Sequence, residues 1–538
     1  MQIDRQTVFP KSAPPANAIW AIRVGELKPM QRLTLSCLQG FINREQPRVY
    51  LAYDRLDELW LDWLRERGDV REINWVEPRT IYEKFLPLAR GLVVTNPHLP
   101  ASINVATMLA SLEDWLPVMP HLLPQFPAMK VALDLGEKKW KKNIEAYRWF
   151  FSNHGARMSR RLCAHYDPGQ FELRDYFVQF KVPMIWISHP DDAKRSPAAS
   201  SAEETQFAHE FFGNLPPNLP CMGWWDSGLG GEVGCGENGP YSGMDIISQH
   251  AKFEVCTAFD GFGRGVGNLS VHSGTSANFR QKPAPPSPKL ESGKVYYAYT
   301  RTDGDGMNFY RQVYRDLWDQ PDHGKVPVGW QLGPTASDLI PDIIDYFYRR
   351  ATPGDVFVNA LTGIGYIREN CYLDRIPKEA QAAAWKEYME LSARYFKRLD
   401  LSLLTTFEAF DLMSPENLAR FTELPGLKAI YRNYSRFKDT TADNTLTEVN
   451  GVPVFRAMLA GSFSLGNSEE IRRAASEIAR QIREFAPTVR PAFLHLSLTN
   501  WFVDMRLLVE VEKALGPDYL AVRADHLPDL YKQSKQAR

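Results

Sequence analysis

The chain has 538 residues, which is more than one hydrophobic core usually holds, so at least two domains are expected. Its residues are 44% hydrophobic and 24% charged, the composition of an ordinary soluble globular protein. The formal net charge of -1 gives no electrostatic basis for binding nucleic acid or an anionic membrane, so neither is expected as a partner.

The start of the chain does not have the pattern of a signal peptide, because Pro10, Pro14 and Pro15 interrupt it and no apolar core follows. No apolar run reaches the roughly 20 residues that span a bilayer. We expect a soluble protein, either cytoplasmic or secreted after removal of a signal. The six cysteines are scattered without Cys/His ligand spacing, so no metal and no other cofactor is expected.

Helices and strands alternate along the first part of the chain. Strands are predicted at 47–53, 91–95, 130–134 and 182–188, and helices at 27–44, 56–68, 103–113 and 139–151. This alternation predicts an N-terminal α/β domain, residues 1–280, built on one open, mainly parallel sheet. Its last part, 215–280, has weak periodicity and is predicted to be rich in loops. A Walker loop and a dinucleotide fingerprint are both absent from the sequence.

A proline-rich segment, residues 281–290, follows this domain and contains Pro283, Pro285, Pro286 and Pro288. Proline fixes the backbone angle φ and removes an amide donor, so the segment is expected to be extended and unable to join a sheet. We therefore predict a linker at this position.

The C-terminal domain, residues 291–538, repeats a strand and a helix with a regular period. Strands are predicted at 295–300, 326–331, 355–361, 401–407, 427–432, 454–459, 492–498 and 519–523, and helices at 335–351, 379–398, 414–422, 468–485 and 501–515. This is the pattern of a (β/α)8 TIM-like barrel, which we take as the catalytic domain. Because the link from 432 to 454 has no predicted helix, a seven-stranded or irregular barrel is the main alternative.

Carboxylates follow two of these predicted strands. The first strand ends in Thr302-Asp303-Gly304-Asp305, and Glu408 follows the fourth. In α/β barrels the chemistry lies at the carboxyl ends of the strands, and glycosidic cleavage commonly uses one protonated and one ionised carboxyl group. Asp303, Asp305 and Glu408 are therefore the candidate catalytic residues. An Asp-Gly-Asp turn can equally cap the following helix, and Glu408 can be a structural acid paired with an arginine.

Amide and aromatic side chains occur at or near the other strand ends. Amides hydrogen-bond sugar hydroxyls, and aromatic faces stack on sugar C–H surfaces. The candidate substrate-binding residues are Asn308, Trp330, Gln331, Asn359, Tyr366, Asp411, Asn433, Asn500 and Trp501, with Trp225 and Asp226 from the N-terminal domain. Aromatic residues such as Trp330 and Tyr366 are more often packing residues than ligand contacts.

Several motifs resemble the GxGYxYP family, which is classed among the glycoside hydrolases. They are Thr362-Gly363-Ile364-Gly365-Tyr366 with the preceding Pro327-Val328-Gly329-Trp330 and Asp303-Gly304-Asp305, the N-terminal Leu38-Gln39-Gly40-Phe41-Ile42-Asn43-Arg44, and Asn450-Gly451-Val452-Pro453. The resemblance implies an α/β N-terminal domain, a barrel-like C-terminal domain and action on glycosidic bonds. It carries over no catalytic residues. Arg368 and Glu369 stand where the family motif has Tyr and Pro. The backbone that follows Tyr366 is therefore expected to differ from that of the family.

The function expected from the sequence is a glycoside hydrolase with a poly- or oligosaccharide as its substrate. Many barrel glycosidases place their catalytic acids after strands four and seven. The seventh strand here ends in Ser497-Leu498-Thr499-Asn500, which has no acid, so this common retaining arrangement is not matched. Asp303 or Asp305 is therefore the expected partner of Glu408. No oligomeric state is predicted.

Two alternatives from other functional classes stay open. The first is a metal-dependent, polysaccharide deacetylase-like hydrolase that would use the aspartates after strand one together with His323, His495 or His526. The second is a non-catalytic carbohydrate-binding protein on a barrel scaffold, for which the incomplete family motif is the main argument.

Overall fold

The computed structural model describes residues 7–189, 194, 196–225, 240–258, 264–302, 306–408, 411–433, 441–459, 465–498 and 504–537. The chain forms two compact units. The first comprises Met1–Ala277, Thr335–Ile343 and Leu373–Pro377, and the second comprises Asn278–Pro334, Ile344–Tyr372 and Lys378–Arg538. Two short segments from the second half of the sequence thus belong to the first unit.

The strands of the first unit are short and largely buried. They are β1 (Ala18–Arg23), β2 (Val49–Ala52), β3 (Glu72–Trp75), β4 (Gly91–Val94), β5 (Trp115–Val118), β6 (Val131–Asp134), β7 (Cys163–His165), β8 (Met184–Ile185), β9 (Leu219–Gly223) and β10 (Lys252–Cys256). They pair in parallel in three separate sheets, ordered β2-β1-β3, β5-β4-β6 and β10-β9-β7-β8.

The expectation of a single open sheet is therefore wrong for the first unit, although the parallel α/β character is confirmed. Alternation of helices and strands fixes the class of fold, but it does not specify which strands pair. The segment 215–280, predicted to be rich in loops, also contains the buried strands β9 and β10. Their sequences include Pro220, Lys252 and Glu254, residue types that are depleted in strands.

The helices of the first half of the chain cover these sheets. They are α1 (Pro29–Ile42), α2 (Arg55–Arg67), α3 (Pro78–Phe85), α4 (Ala101–Glu113), α5 (Asn143–His154), α6 (Arg174–Phe180), α7 (Ser201–Gly213), α8 (Pro240–Gln249) and α9 (Leu269–His272). α2 shows how local sequence sets their ends. The Asp54 carboxylate caps its first turn by accepting from Leu56 N at 2.9 Å, and Gly68 ends it with a φ of 84°.

The strands of the second unit are β11 (Val295–Arg301), β12 (Val328–Leu332), β13 (Asp355–Asn359), β14 (Leu403–Thr405), β15 (Ala429–Tyr431), β16 (Leu446–Val449), β17 (Val452–Phe455), β18 (Ala457–Leu459), β19 (Ala492–Leu498) and β20 (Tyr519–Ala521). They form one sheet of order β16-β17-β15-β14-β13-β12-β11-β19-β18, and β20 also pairs with β11. Seven of the eight strands predicted from the sequence are found as single strands, and the eighth, predicted at 454–459, is divided into β17 and β18. The link from 432 to 454, which has no predicted helix, contributes β16, and the β16–β17 pair is antiparallel.

The helices of the second half are α10 (Met307–Phe309), α11 (Arg315–Trp318), α12 (Ala336–Leu339), α13 (Pro341–Arg350), α14 (Lys378–Arg398), α15 (Pro415–Phe421), α16 (Ser468–Phe485), α17 (Met505–Leu515) and α18 (Leu527–Gln536). The single helix predicted for 335–351 is divided into α12 and α13 at Pro341, which cannot donate the helical hydrogen bond. Among the described residues, no helix has both the length and the apolar character needed to cross a membrane.

The segment 335–343 is held in the first unit by buried carboxylates. Asp342 Oδ2 lies 2.8 Å from His272 Nδ1, and Asp338 Oδ2 accepts from Phe9 N at 3.3 Å. Trp63 Nε1 donates to the backbone carbonyl of Asp342 at 2.8 Å. The core of the first unit is therefore completed by residues that follow it in sequence by about sixty positions or more.

We expect Asp342→Ala to lower the free energy of unfolding by about 1–3 kcal/mol, because it leaves His272 Nδ1 buried without its acceptor. Chemical denaturation measures this loss. The control is Asp62→Ala, which removes an exposed ion pair with Arg65 and is expected to change stability by less than about 1 kcal/mol. Equal effects of the two substitutions would contradict a role for Asp342 in this core.

Candidate functional site

Five predicted site residues lie outside the described part of the chain, namely Asp303, Asp305, Asn500, Trp501 and Asp226. The other predicted site residues are described, and most belong to the second unit. Some of these residues lie close to a buried acid. Others hold a loop in place or belong to a packed core.

Glu408 lies just after β14 and is completely buried. Arg432 Nε donates to both carboxylate oxygens, at 3.0 and 2.9 Å, and Arg432 Nη2 lies 2.8 Å from Oε2. Thr406 Oγ1 donates to Oε1 at 3.0 Å. Burial raises the pKa of Glu408, and the guanidinium of Arg432 opposes that rise. The side chain is thus arranged to hold a buried negative charge.

Glu369, in the loop between β13 and α14, is a second buried acid of this region. Burial raises the pKa of Glu369 well above its usual range, and the charge of Glu408 raises it further. Its Oε1 has no hydrogen-bond partner among the described residues. No arginine binds it in the way that Arg432 binds Glu408, as far as the structure is described. Burial and the charge of Glu408 therefore favour the protonated form of Glu369, whereas backbone hydrogen bonds and the charge of Arg368 favour the ionised form.

Glu369 and Glu408 form what we call the glutamate pair. Two neighbouring carboxyl groups in unlike surroundings divide the protonated and ionised forms between them. Glu408 was predicted from its place after a strand. Glu369 was missed, since in the sequence it is only a departure from the family motif.

A buried polar network adjoins the pair. Asn433 Nδ2 donates to Gln331 Oε1 at 3.3 Å, and Ser497 Oγ donates to Asn433 Oδ1. Gln331 Nε2 donates to Thr300 Oγ1 at 3.4 Å. The backbone carbonyl of Asn433 accepts from the amide of Glu408 at 3.2 Å. The structure thus brings the candidate residues Gln331 and Asn433 together, with their amide groups bonded to each other.

His495 extends this network from β19. Its Nε2 lies 2.7 Å from Thr300 Oγ1, and the ring is almost fully buried. Burial lowers the pKa of His495 to about 3, so the ring is neutral at physiological pH. It is therefore a hydrogen-bonding partner within the network rather than a charged group.

The Gly-x-Gly-Tyr loop is fixed by its own neighbours. Asn359 accepts from Gly363 N at 3.1 Å and donates to Gly363 O at 2.7 Å. From α14, Tyr388 donates to the carbonyls of Thr362 and Gly365. Tyr366 stacks on Phe407 with ring centroids 6.0 Å apart. Asn359 and Tyr366 therefore hold the loop in which Glu369 lies.

Gly363 has a φ of +94°, and a Cβ there would lie 2.6 Å from Ser392 Oγ. We expect Gly363→Ala to lower the free energy of unfolding by about 1–3 kcal/mol, from backbone strain and this contact together. The control is Gly426→Ala, because Gly426 has a φ of +76° with no atom in reach of a Cβ. Denaturant titration should show the larger loss for Gly363→Ala, and a larger loss at Gly426 would contradict the packing argument.

Asp411 is the most exposed of the described candidates, with 46% of its side chain accessible. Its Oδ1 lies 2.8 Å from Arg368 Nη2, and its Oδ2 accepts from Asn370 Nδ2 at 2.5 Å. Arg368 and Asn370 flank Glu369 in sequence. Asp411 therefore anchors the loop that carries one member of the glutamate pair.

The remaining candidates lie in packed surroundings. Trp330 Nε1 donates to Asp355 Oδ1 at 2.7 Å, and its ring lies 4.6 Å from that of Trp318. Since successive side chains on a strand face opposite sides, Trp330 does not share a face with Gln331. Trp225, in the first unit, is fully buried and stacks on His165 at 3.8 Å. Asn308 is buried in α10.

Two of the histidines considered for a metal centre in the second unit have different hydrogen-bond partners. His323 Nε2 lies 3.0 Å from Asp355 Oδ2, and His495 bonds Thr300. Within the described residues, the group of three metal-ligand side chains that comes together is His165, Cys221 and Glu254, in the first unit. The described part of the second unit thus offers no such group for a metal-dependent deacetylase.

Four family models match the chain in order. The first, second and third domains of the GxGYxYP family match residues 18–86, 89–158 and 160–274. The model described as "GxGYxYP putative glycoside hydrolase C-terminal domain" matches residues 293–532. Each of the three sheets of the first unit lies within one of the three N-terminal matches.

Among solved structures, the chain is similar to a protein titled "a putative hydrolase" from Bacteroides thetaiotaomicron. The TM-score is 0.77 at 18% sequence identity, over 97% of this chain and 96% of that one, which establishes a shared fold. None of the curated proteins compared with the chain matches it. The four matches, which together span most of the sequence, show that the chain belongs to the GxGYxYP family.

Proposed function

We propose that the chain is a glycoside hydrolase that cleaves a poly- or oligosaccharide, with Glu369 as general acid and Glu408 as the ionised carboxylate. The observation that carries this proposal is the glutamate pair itself, two buried carboxyl groups in unlike surroundings. The family description supports the reaction class. Glu369 takes the place that the sequence had suggested for Asp303 or Asp305, which remain candidates for contacts with the sugar.

In the proposed reaction, the carboxyl groups of Glu369 and Glu408 have different roles. As the glycosidic C–O bond breaks, Glu369 gives its proton to the leaving oxygen. Glu408 either attacks the anomeric carbon or takes a proton from the water that does so. Arg432 favours the ionised form of Glu408 and orients its carboxylate for either role. A carboxyl separation of about 5 Å in the sugar complex would indicate retention of configuration, and one of about 6.5–9.5 Å would indicate inversion.

We also propose that the sheet of the second unit closes into a barrel, which would gather the strand ends around one site. β17 pairs with β15, β18 pairs with β19, and only Arg456 separates β17 from β18. A segment that pairs with both ends of a sheet favours closure. Because β20 pairs with β11 alone, the seven-stranded or irregular form is favoured over a regular (β/α)8 barrel. A crystal structure with β15 and β19 at open edges would contradict this.

A second candidate is a non-catalytic carbohydrate-binding protein. It is favoured by one observation, the complete burial of Glu408 against Arg432 and Thr406. A purely structural acid would make the same buried ion pair and hydrogen bond.

The experiment that tests the proposal is a screen of the purified full chain on a panel of poly- and oligosaccharides, read by release of reducing ends. The same panel is examined for binding by calorimetry. Hydrolysis of at least one glycan supports the enzyme. Binding without hydrolysis supports the non-catalytic candidate, and absence of both contradicts carbohydrate as the ligand.

A further inference from the structure

One face of the sheet β10-β9-β7-β8 carries an unusual set of side chains. Cys163 on β7 is in register with Cys221 on β9, and Glu254 on β10 is in register with the same Cys221. Side chains two residues apart on a strand share a face, so His165 lies on the face of Cys163. The pairing of three parallel strands therefore brings thiols, an imidazole and a carboxylate together inside the first unit.

Contacts within this set are close. His165 Nε2 lies 2.6 Å from Glu254 Oε2. One ligand atom each from His165, Cys221 and Glu254 lies within 4.8 Å of the other two. All three residues are fully buried. Within the described part of the chain, His165 Nδ1 and Glu254 Oε1 have no hydrogen-bond partner.

We propose that His165, Cys221 and Glu254 bind a divalent transition metal, with zinc as the ion that fits them best. Thiolate sulfur, imidazole nitrogen and carboxylate oxygen are the three protein ligand types of zinc. Ligand atoms around one tetrahedral zinc lie about 3.3–3.8 Å apart, so small side-chain rotations would bring these three into range. Sulfur in the set disfavours magnesium and calcium, which take oxygen ligands.

The buried carboxyl group of Glu254 favours a cation at the site, whereas the Lys252 ammonium already interacts with the Cys221 thiol. Glu254 has zero exposure and its Oε1 has no hydrogen-bond partner among the described residues, and a buried charge is unfavourable unless it is fully paired. The ammonium of Lys252, on the same strand, donates to the backbone carbonyls of Leu215 and His250. A metal would supply positive charge directly at Glu254 and would bind the thiolate of Cys221.

The surroundings also hold the imidazole in place. Trp225 stacks on His165 with ring centroids 3.8 Å apart and an interplanar angle of 4°. A fixed ring orientation is what supporting residues provide around metal-binding histidines. Because the three ligands come from three strands and are closed off from solvent, the metal would tie β7, β9 and β10 together and stabilise the fold.

Metal analysis of the full-length protein tests this site independently of any glycan. After treatment with a chelator and addition of zinc, we expect roughly one bound zinc ion per chain. With cobalt, we expect the near-ultraviolet absorption of a thiolate–cobalt bond. A wild-type protein that takes up neither ion would overturn the proposal, whatever the variants do.

Matched cysteine variants locate the site. Cys221→Ala should lose the thiolate–cobalt absorption and bind metal at least about tenfold more weakly. Cys37→Ala is the control, because Cys37 is another fully buried thiol of the first unit, on α1, near Thr107. It should keep both properties. An unchanged absorption in Cys221→Ala would overturn the assignment, and so would its loss in Cys37→Ala alone.

Thermal melting provides a second readout for the same proteins. Chelation should lower the melting temperature of wild type and of Cys37→Ala, because a bound metal stabilises only the folded chain. It should leave Cys221→Ala unchanged. A melting temperature of metal-loaded wild type that does not respond to chelation would contradict a structural metal.

Discussion

Glu369→Gln and Glu408→Gln are each expected to reduce the rate of glycan hydrolysis by about 10²–10⁴-fold. Gln keeps the size of each side chain but can neither give up the acidic proton of Glu369 nor carry the negative charge of Glu408. Initial rates at saturating substrate measure the effect. Glu416→Gln is the control, because Glu416 is an exposed acid of the same unit, and its activity should stay within about twofold of wild type.

The pH profile separates the two roles. Burial raises the pKa of Glu369 well above its usual range, so activity should fall as pH rises through that value and the acid loses its proton. Activity should also fall at low pH, as Glu408 becomes protonated. Glu369→Gln should remove the high-pH fall from any residual activity. Wild-type rates in both Gln variants would eliminate the glutamate pair as the catalytic groups and return attention to Asp303 and Asp305.

Arg432→Gln is expected to lower the free energy of unfolding by about 3–5 kcal/mol. The substitution removes the cation that lies 2.8 Å from Glu408 Oε2 and leaves a completely buried carboxylate without this ion pair. Denaturant titration at neutral pH measures the loss. Lower pH should restore part of the stability, because protonation removes the buried charge of Glu408.

A double variant and an exposed control complete this test. Arg432→Gln combined with Glu408→Gln should be more stable than Arg432→Gln alone, since no buried charge is then left without a partner. Arg480→Gln breaks two exposed ion pairs, with Glu477 and Glu484, and should cost less than about 1 kcal/mol. If Arg432→Gln is no more harmful than Arg480→Gln, the ion pair with Glu408 is not a structural requirement.

The class of fold could be predicted from the sequence, because strand and helix periods are local properties of the chain. The strands of the second unit are the clearest case, and Val295–Arg301 was found within one residue of its expected end. The division of the first unit into three sheets could not be predicted. It depends on pairing between strands such as β7 and β9, which are far apart in sequence.

The candidate site was predictable only where it follows a strand directly. Glu408 and Asn433 were proposed in this way and Gln331 from the end of its predicted strand, and the structure places their side chains in buried polar contacts. Glu369 comes from a long loop, and its importance depends on how that loop folds against Phe407. Likewise, no local spacing marks the set of His165, Cys221 and Glu254, because each comes from a different strand.

Residues 335–343 and 373–377 have a consequence for the order of events during synthesis. The first unit contains the opening half of the chain, but its core includes Asp338 and Asp342, which leave the ribosome later. Domains usually fold as they emerge, starting from the N-terminus. Here the early half cannot complete the buried hydrogen bonds of Phe9 and His272 until Asp338 and Asp342 have been made.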